Sequence, residues 1–371
     1  MDMLGIIFAE MYGEQLDSLT YDRSMAAVPF GGRYRMVDFV LSNLVNSGVT
    51  NVGVLAKQHY RSLMDHLSSG QEWDLNRKNG GLHILPPFAN ESVNTNTAGK
   101  LDELRNALDL LEDSPEPYVL LADTGAVYNM DYRAALRSHL DSGCDITAVT
   151  VVADGRSMTP SSALLKLESG RVRAFALGLT PAAGDHVAIG VYIISRELLI
   201  RTVREYTAFG AYHFERDYIQ NQFNQGSLRI NAYPIQGQVL FVRSAAEYFS
   251  ANLALTDPAV ACELFRPDAP IYTRVHDEVP AYYGPDSAVS GCIVADGCMI
   301  QGRAEHCVLS RGIQIGKGAR LKNCIVLQGG VIEADTELEN VIIDKRARIS
   351  AGTRLLGLPA SPIIIRKGAL V

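Results

Sequence analysis

Cysteine and histidine are the side chains best able to act as nucleophiles, bases or metal ligands, so their spacing is the first test of chemistry. The six cysteines (Cys144, Cys262, Cys292, Cys298, Cys307 and Cys324) form no CxxC pair and no Cys/His cluster. That spacing argues against a zinc site and a disulfide framework, and makes a reduced, cytosolic setting the expectation. His306, in the run EHCVL, could serve as a base for acyl transfer. The matching slots in KNCIV and ENVII hold Asn323 and Asn340, however, so the position reads as a polar turn. His59 and His66 read as surface or packing residues. The formal net charge is -7, from 34 Lys and Arg against 41 Asp and Glu. This balance disfavours nucleic acid as a partner, while a local basic patch could still hold a small phosphorylated ligand.

The elements that would position such residues fall into two groups. From 292 to 356 the apolar residues recur in a 17-residue register. Ile315, Ile332 and Ile349 align, as do Leu321, Leu338 and Leu355, and Leu309, Val326 and Ile343. A helix needs apolar spacings of three and four. Steps of five and six with small turn residues, as in IGKGARL, IEADTEL and ISAGTRL, predict a parallel β-helix of hexapeptide repeats. Each coil would bury its interior only against its neighbours.

Upstream, the runs 3–9, 51–56, 118–122 and 146–152 predict buried strands, and 34–47, 101–111 and 132–142 predict helices. That alternation predicts a mostly parallel sheet wrapped by helices. Ligands in such sheets bind beyond the carboxyl ends of the strands, so the loops after Ala9 and Ala122 are where chemistry is expected. A chain of 371 residues exceeds what one core usually serves. The expected division is an α/β domain at 1–245, a connector at 246–283 and a β-helix at 284–371. No signal peptide and no membrane span is expected.

The run LTYDRSMAAVPFGGRYRMVDFVLSNLVNSGVTNVGVL (19–55) resembles the matching segment of bacterial ADP-glucose pyrophosphorylases, the glucose-1-phosphate adenylyltransferase family. Its family pattern includes RAKPAVPFGGKYRIIDF. The segments at 72–88, 128–132, 189–194 and 214–219 are similar to that family as well, so the resemblance spans essentially the whole chain. It implies a Rossmann-like, GT-A-like nucleotidyltransferase domain followed by a left-handed β-helix. It also implies a reaction of ATP with glucose 1-phosphate, giving ADP-glucose and diphosphate for glycogen synthesis.

That reaction needs glycines beside the triphosphate, cations, and carboxylates that hold Mg²⁺. The family's GGxGxRL loop is EMYGEQL here, with Glu10, Met11 and Gln15 replacing two glycines and the arginine. Glu10 and Glu14, if they point inward, would repel a phosphate by about 4 kcal/mol per unit pair at about 4 Å, roughly a thousandfold in binding. Met25 stands at the lysine of RAKPAVPF, and Thr180 at the lysine of EKP. Gly125 and Phe241 stand at the two metal carboxylates.

With these features gone, no catalytic residue, no metal and no cofactor are expected. The pattern resembles the GlgD-type, non-catalytic subunits of the family. It implies a regulatory chain that assembles with a catalytic glucose-1-phosphate adenylyltransferase subunit, as a hetero-tetramer. The alternative is an active nucleotidyltransferase in which Asp123 serves as a rearranged Mg²⁺ ligand and Arg23 contacts phosphate. In the family, anionic effectors bind where the domains meet, which makes Arg23, Arg33 and Arg35 candidates, with Arg354, Arg366 and Lys367 near the C-terminus. Arg33 and Arg35 could instead brace the chain around Asp38.

Overall fold

The computed structural model describes residues 1–10, 13–86, 99–155 and 163–371. Short Ile-, Leu- and Val-rich runs make its central sheet. β1 (Met3–Phe8), β2 (Asn51–Leu55), β3 (Gly81–Leu85) and β4 (Tyr118–Asp123) run parallel, with β1 between β2 and β4 and β3 beyond β2. β1 and β2 are buried throughout, as strands covered on both faces must be.

The remainder departs from the mostly parallel expectation. β5 (Ile146–Val152) is followed by a hairpin of β6 (Ala163–Glu168) and β7 (Arg171–Leu177). β8 (His186–Ser195) then returns between β4 and β5, antiparallel to both, and its first residues also pair with β6. β9 (Ile230–Pro234) closes the sheet beside β5. The sheet is therefore mixed. A hairpin leads straight back into the sheet where a crossover helix would have kept the strands parallel.

Among the helices are α1 (Met36–Asn46), α2 (Lys100–Arg105), α3 (Tyr132–Ser142), α4 (Arg196–Ala208) and α5 (Ala245–Ala254). The expected helix over 101–111 is interrupted after Arg105 and resumes as a separate turn at Leu108–Asp113. α3 has its expected bounds for visible reasons. Asp131 caps it by accepting a bond from the Arg133 amide, and Gly143 ends it at φ 58°, the left-handed stop that favours glycine.

The C-terminal part, from Tyr282 on, is the expected β-helix, with three five-stranded parallel faces. The register is the one read from the sequence. Ile315 pairs with Ile332 and Ile332 with Ile349; Leu321 pairs with Leu338 and Leu338 with Leu355. On the third face Leu309 pairs with Val326 and Val326 with Ile343.

His306, Asn323 and Asn340 share one corner with φ of 49°, 49° and 52°. Left-handed backbone of that kind suits Asn and tolerates His. The Asn323 side chain donates to Asn340 Oδ1 at 3.2 Å, and Asn340 donates to the Gly357 carbonyl at 3.1 Å. His306 is thus a corner residue. Beside this corner Cys292, Cys307 and Cys324 stack as free thiols, with Cys292 Sγ accepting from the Cys307 amide at 3.3 Å and Cys307 Sγ from the Cys324 amide at 3.4 Å.

After α5 a short helix (Pro258–Leu264) precedes an extended stretch that leads to the first coil at Tyr282–Tyr283. That stretch runs along α1, where the Tyr272 amide donates to Ser42 Oγ at 2.8 Å and Asn46 to the Pro270 carbonyl at 3.0 Å. The two halves share a core. Val308, Ile325 and Ile342 of the third face pack with Leu16, Met25, Val28, Phe30, Phe39 and Phe249. Arg23 and Asp344, 3% and 1% exposed, cross this junction in a two-pronged ion pair at 2.9 Å.

Candidate functional site

Position 125 follows β4, and position 241 lies far along the chain. The fold brings them together. Leu240–Phe241 pairs antiparallel with Ala126–Val127, with Phe241 opposite Ala126, and the Val242 amide donates to the Gly125 carbonyl at 2.8 Å. These are the two positions that the family resemblance assigns to metal carboxylates. Here one has no side chain and the other an aromatic ring. The Arg243 guanidinium lies 4.1 Å from the Phe241 ring and is held by Glu247 at 2.8 Å. A divalent cation held by paired carboxylates does not fit here, because neither side chain offers an oxygen ligand.

The other substituted positions divide. Met25 is fully buried in the shared core, where a lysine would lose its hydration; the residue has become packing. Thr180 is exposed in the turn between β7 and β8. Met11 lies outside the described residues, as does the side chain of Gln15.

Asp123 closes β4 and is 2% exposed. It has a cation on it already: Lys100 Nζ lies 2.9 Å from Asp123 Oδ2 and also bonds Glu215 Oε1. Burial pushes the Asp123 carboxyl up to about 6, with Lys100 opposing and Glu215 reinforcing the rise. Two glycines permit the arrangement. A Cβ on Gly190, at φ +82°, would come within 2.4 Å of Asp123 Oδ2, and one on Gly99 within 2.4 Å of the Tyr212 carbonyl.

Glu103, one turn along α2, is pushed up to about 7 by burial, with Lys57 opposing and Asp123 reinforcing. Burial and then Glu103 push Glu10 up to about 8. The Coulombic objection raised by the sequence is therefore corrected for Glu10. At neutral pH it keeps its proton, because its low-dielectric surroundings disfavour the charge. What it opposes to a phosphate is bulk.

A second site lies where the halves meet. Arg33 and Arg35 face Arg311 and Lys345 of the β-helix across a small cleft that His66 and His276 also line. Arg35 combines two roles. Its amide donates to Asp38 Oδ2 at 2.9 Å and its guanidinium to the Ser62 carbonyl at 2.6 Å, while Asp38 also holds His66 at 2.6 Å. Burial lowers Arg35 to about 10, with Asp38 opposing. Lys345 is held down to about 7 by burial and then by Arg35 and Arg23. His276 is lowered by burial and then by Arg311. Ser310 Oγ, also at the cleft, is buried without a hydrogen-bond partner. Suppressed cations around an orphaned hydroxyl are what an anion would relieve.

Of the three predicted arginines, Arg33 and Arg35 line this cleft, whereas Arg23 is committed to Asp344. Lys367 reaches Asp22 at 3.3 Å, and Arg354 pairs with Glu337 on the β-helix surface at 2.8 Å. Sequence reasoning missed Arg311, Lys345 and Lys100. Arg311, Gln328 and Lys345 share one slot of the 17-residue register, so the register was a usable signal once the docking corner was known. Lys100 carried no such signal.

Among the described residues no helix is long and apolar enough to cross a membrane, and no three His, Cys, Asp or Glu side chains are grouped to hold a metal.

Comparison with known proteins agrees with this architecture. Residues 4–231 match the nucleotidyl transferase family, and residues 279–358 match the GlmU-like C-terminal hexapeptide family. The glycogen biosynthesis protein GlgD of Bacillus subtilis is 36% identical, over 99% of this chain and 96% of its own length. GlgD of Geobacillus stearothermophilus is also 36% identical, over 99% of this chain and 97% of its own length. The glucose-1-phosphate adenylyltransferase of the same organism is 30% identical, over 86% of this chain and 83% of its own. A nucleotidyltransferase sheet joined to a left-handed hexapeptide β-helix, with full-length likeness to the GlgD proteins and likeness over most of the adenylyltransferase, places the chain in the nucleotidyl transferase family, in the group formed by the GlgD glycogen biosynthesis proteins and the glucose-1-phosphate adenylyltransferases.

Proposed function

We propose that this chain acts in glycogen biosynthesis as a regulatory, activating subunit of glucose-1-phosphate adenylyltransferase, without catalysis of its own. The observation that carries the reading is the Gly125–Phe241 pair. The framework still juxtaposes the two positions, yet both ligands are gone. The partner in this reading is the catalytic chain, in a cytoplasmic hetero-tetramer. The alternative, turnover through Asp123, is disfavoured because Lys100 already holds that carboxylate. The test is an ADP-glucose assay on this chain, on the catalytic chain, and on both. No synthesis is expected from this chain, and the mixture should run several-fold faster than the catalytic chain. Equal rates with and without this chain would sink the reading.

The interdomain cleft is the proposed place where a small anion acts on this subunit. Its pH dependence has a definite sign. Lys345 takes up its proton as pH falls through about 7, which adds a positive charge to the cleft. Sulfate keeps its charge over this range, so its binding should tighten from pH 8 to pH 6. In Lys345→Met most of that gain should vanish. Titration calorimetry at the two pH values checks this; a wild-type affinity that does not change with pH would rule out a role for Lys345.

A further inference from the structure

The carboxyl edge of the sheet lacks the divalent-ion ligands expected at 125 and 241, yet it does hold a positive charge. Lys100 is 2% exposed. Its ammonium lies 2.9 Å from Asp123 Oδ2, contacts Glu215 Oε1, and sits 5.6 and 5.4 Å from the ring centres of Phe8 and Tyr192. Burying an ammonium is costly unless its charge is met on several sides. Two carboxylates and two aromatic faces meet it here. These groups come from β1, β4, β8 and the 214–220 turn, so the cation ties together four segments at the ligand-binding edge of the sheet.

We propose that Lys100 is the resident cation of this edge, its ammonium standing between Asp123 and Glu215 in place of a divalent ion. The backbone is arranged around it. Gly99 lets the start of α2 press against Tyr212, where the Leu101 amide donates to the Tyr212 carbonyl at 2.9 Å. Gly190 leaves the space that Asp123 occupies. A divalent ion entering beside the ammonium would meet a like charge inside one shell of ligands. The wild-type chain therefore binds no such ion there. Without the ammonium, Asp123 and Glu215 face each other uncompensated, and Glu103 Oε2 and Glu10 Oε1 are buried nearby without hydrogen-bond partners. Mg²⁺ and Mn²⁺ need only one or two protein carboxylates when water completes the shell. Removing the lysine should therefore create a divalent-ion site.

The experiment is a Mn²⁺ titration of the full chain followed by electron paramagnetic resonance, without nucleotide. Wild type, Lys100→Ala, Lys100→Gln, Asp123→Asn and Lys100→Ala/Asp123→Asn are compared. Lys100→Gln keeps most of the side chain's length and can still donate to a carboxylate, so it serves as a second neutral variant should the alanine variant fail to fold. Folding is followed by circular dichroism. The expected result is one Mn²⁺ bound at least tenfold more tightly by the folded single variants than by wild type, and lost again in the double variant. Mn²⁺ should also raise the melting temperature of the single variants and leave that of wild type unmoved. Two results would overturn the proposal. One is a wild-type Mn²⁺ site that Asp123→Asn abolishes. The other is a folded Lys100 variant that binds Mn²⁺ no better than wild type. The readout is metal occupancy, so it stands or falls apart from the regulatory role.

Discussion

Arg23→Ala is expected to lower stability by about 3–5 kcal/mol, and Asp344→Ala by a similar amount, because each leaves its partner's charge buried and alone. The pair is two-pronged, 3% and 1% exposed, and spans the junction between the halves. Around it are apolar residues from both domains, among them Met25, Ile325 and Ile342. Arg23→Met combined with Asp344→Leu should recover most of the loss, since no charge then remains unpaired and the volume is kept. Guanidinium denaturation of the four proteins measures this. Single losses below about 1 kcal/mol, the range of exposed pairs, would show that water reaches the pair. The recovery matters as much as the loss. It separates a pair that fixes how the domains seat from one that merely adds stability.

Gly190→Ala is the second large effect. At φ +82° an L residue is strained, by about 1–2 kcal/mol. The new methyl would also lie 2.4 Å from Asp123 Oδ2, so Asp123 must leave the ammonium of Lys100. Breaking a buried pair adds further cost, and a total on the order of 4 kcal/mol is expected. Gly170→Ala is the control. Its φ is +75° and nothing lies within 4 Å of the added methyl, so only the strain of about 1–2 kcal/mol should appear. Thermal melts of the two variants decide it. Equal losses at both glycines would mean that the surroundings of Asp123 yield cheaply.

The β-helix was legible because its interior stacks like on like, so a spacing in the chain becomes a stack in space. Ile315, Ile332 and Ile349 align in the sequence as they stack in the fold. Gly125 and Phe241 were named from local motifs, and the sequence did not record that they lie together. Each sits in a short motif beside a strand, and the strand pairing that joins them belongs to the fold. The mixed sheet was not legible. Whether a buried apolar run such as 189–194 lies parallel or antiparallel depends on its connections, and periodicity does not record those. Lys100 was also hidden. A Gly-Lys step at the start of a polar helix reads as surface, and only the close approach to Tyr212 turns the side chain inward. The interdomain cleft was half visible. Arg33 and Arg35 could be named from the N-terminal segment, but Arg311 and Lys345 belong to a repeating corner, and repetition does not say which corner meets the other domain.

The strand that carries Phe241 leads without slack into α5. Ser244 caps the helix by accepting from the Glu247 amide at 3.2 Å, and Arg243 is clamped to Glu247. Phe249 and Tyr248, further along that helix, rest in the core shared with the β-helix. The segment is therefore a short stiff lever. One end lies beside Gly125 at the end of β4, and the other on the surface where the domains bear on each other. That helix and strand therefore give a continuous covalent and packed path between the β-helix seat and the end of β4.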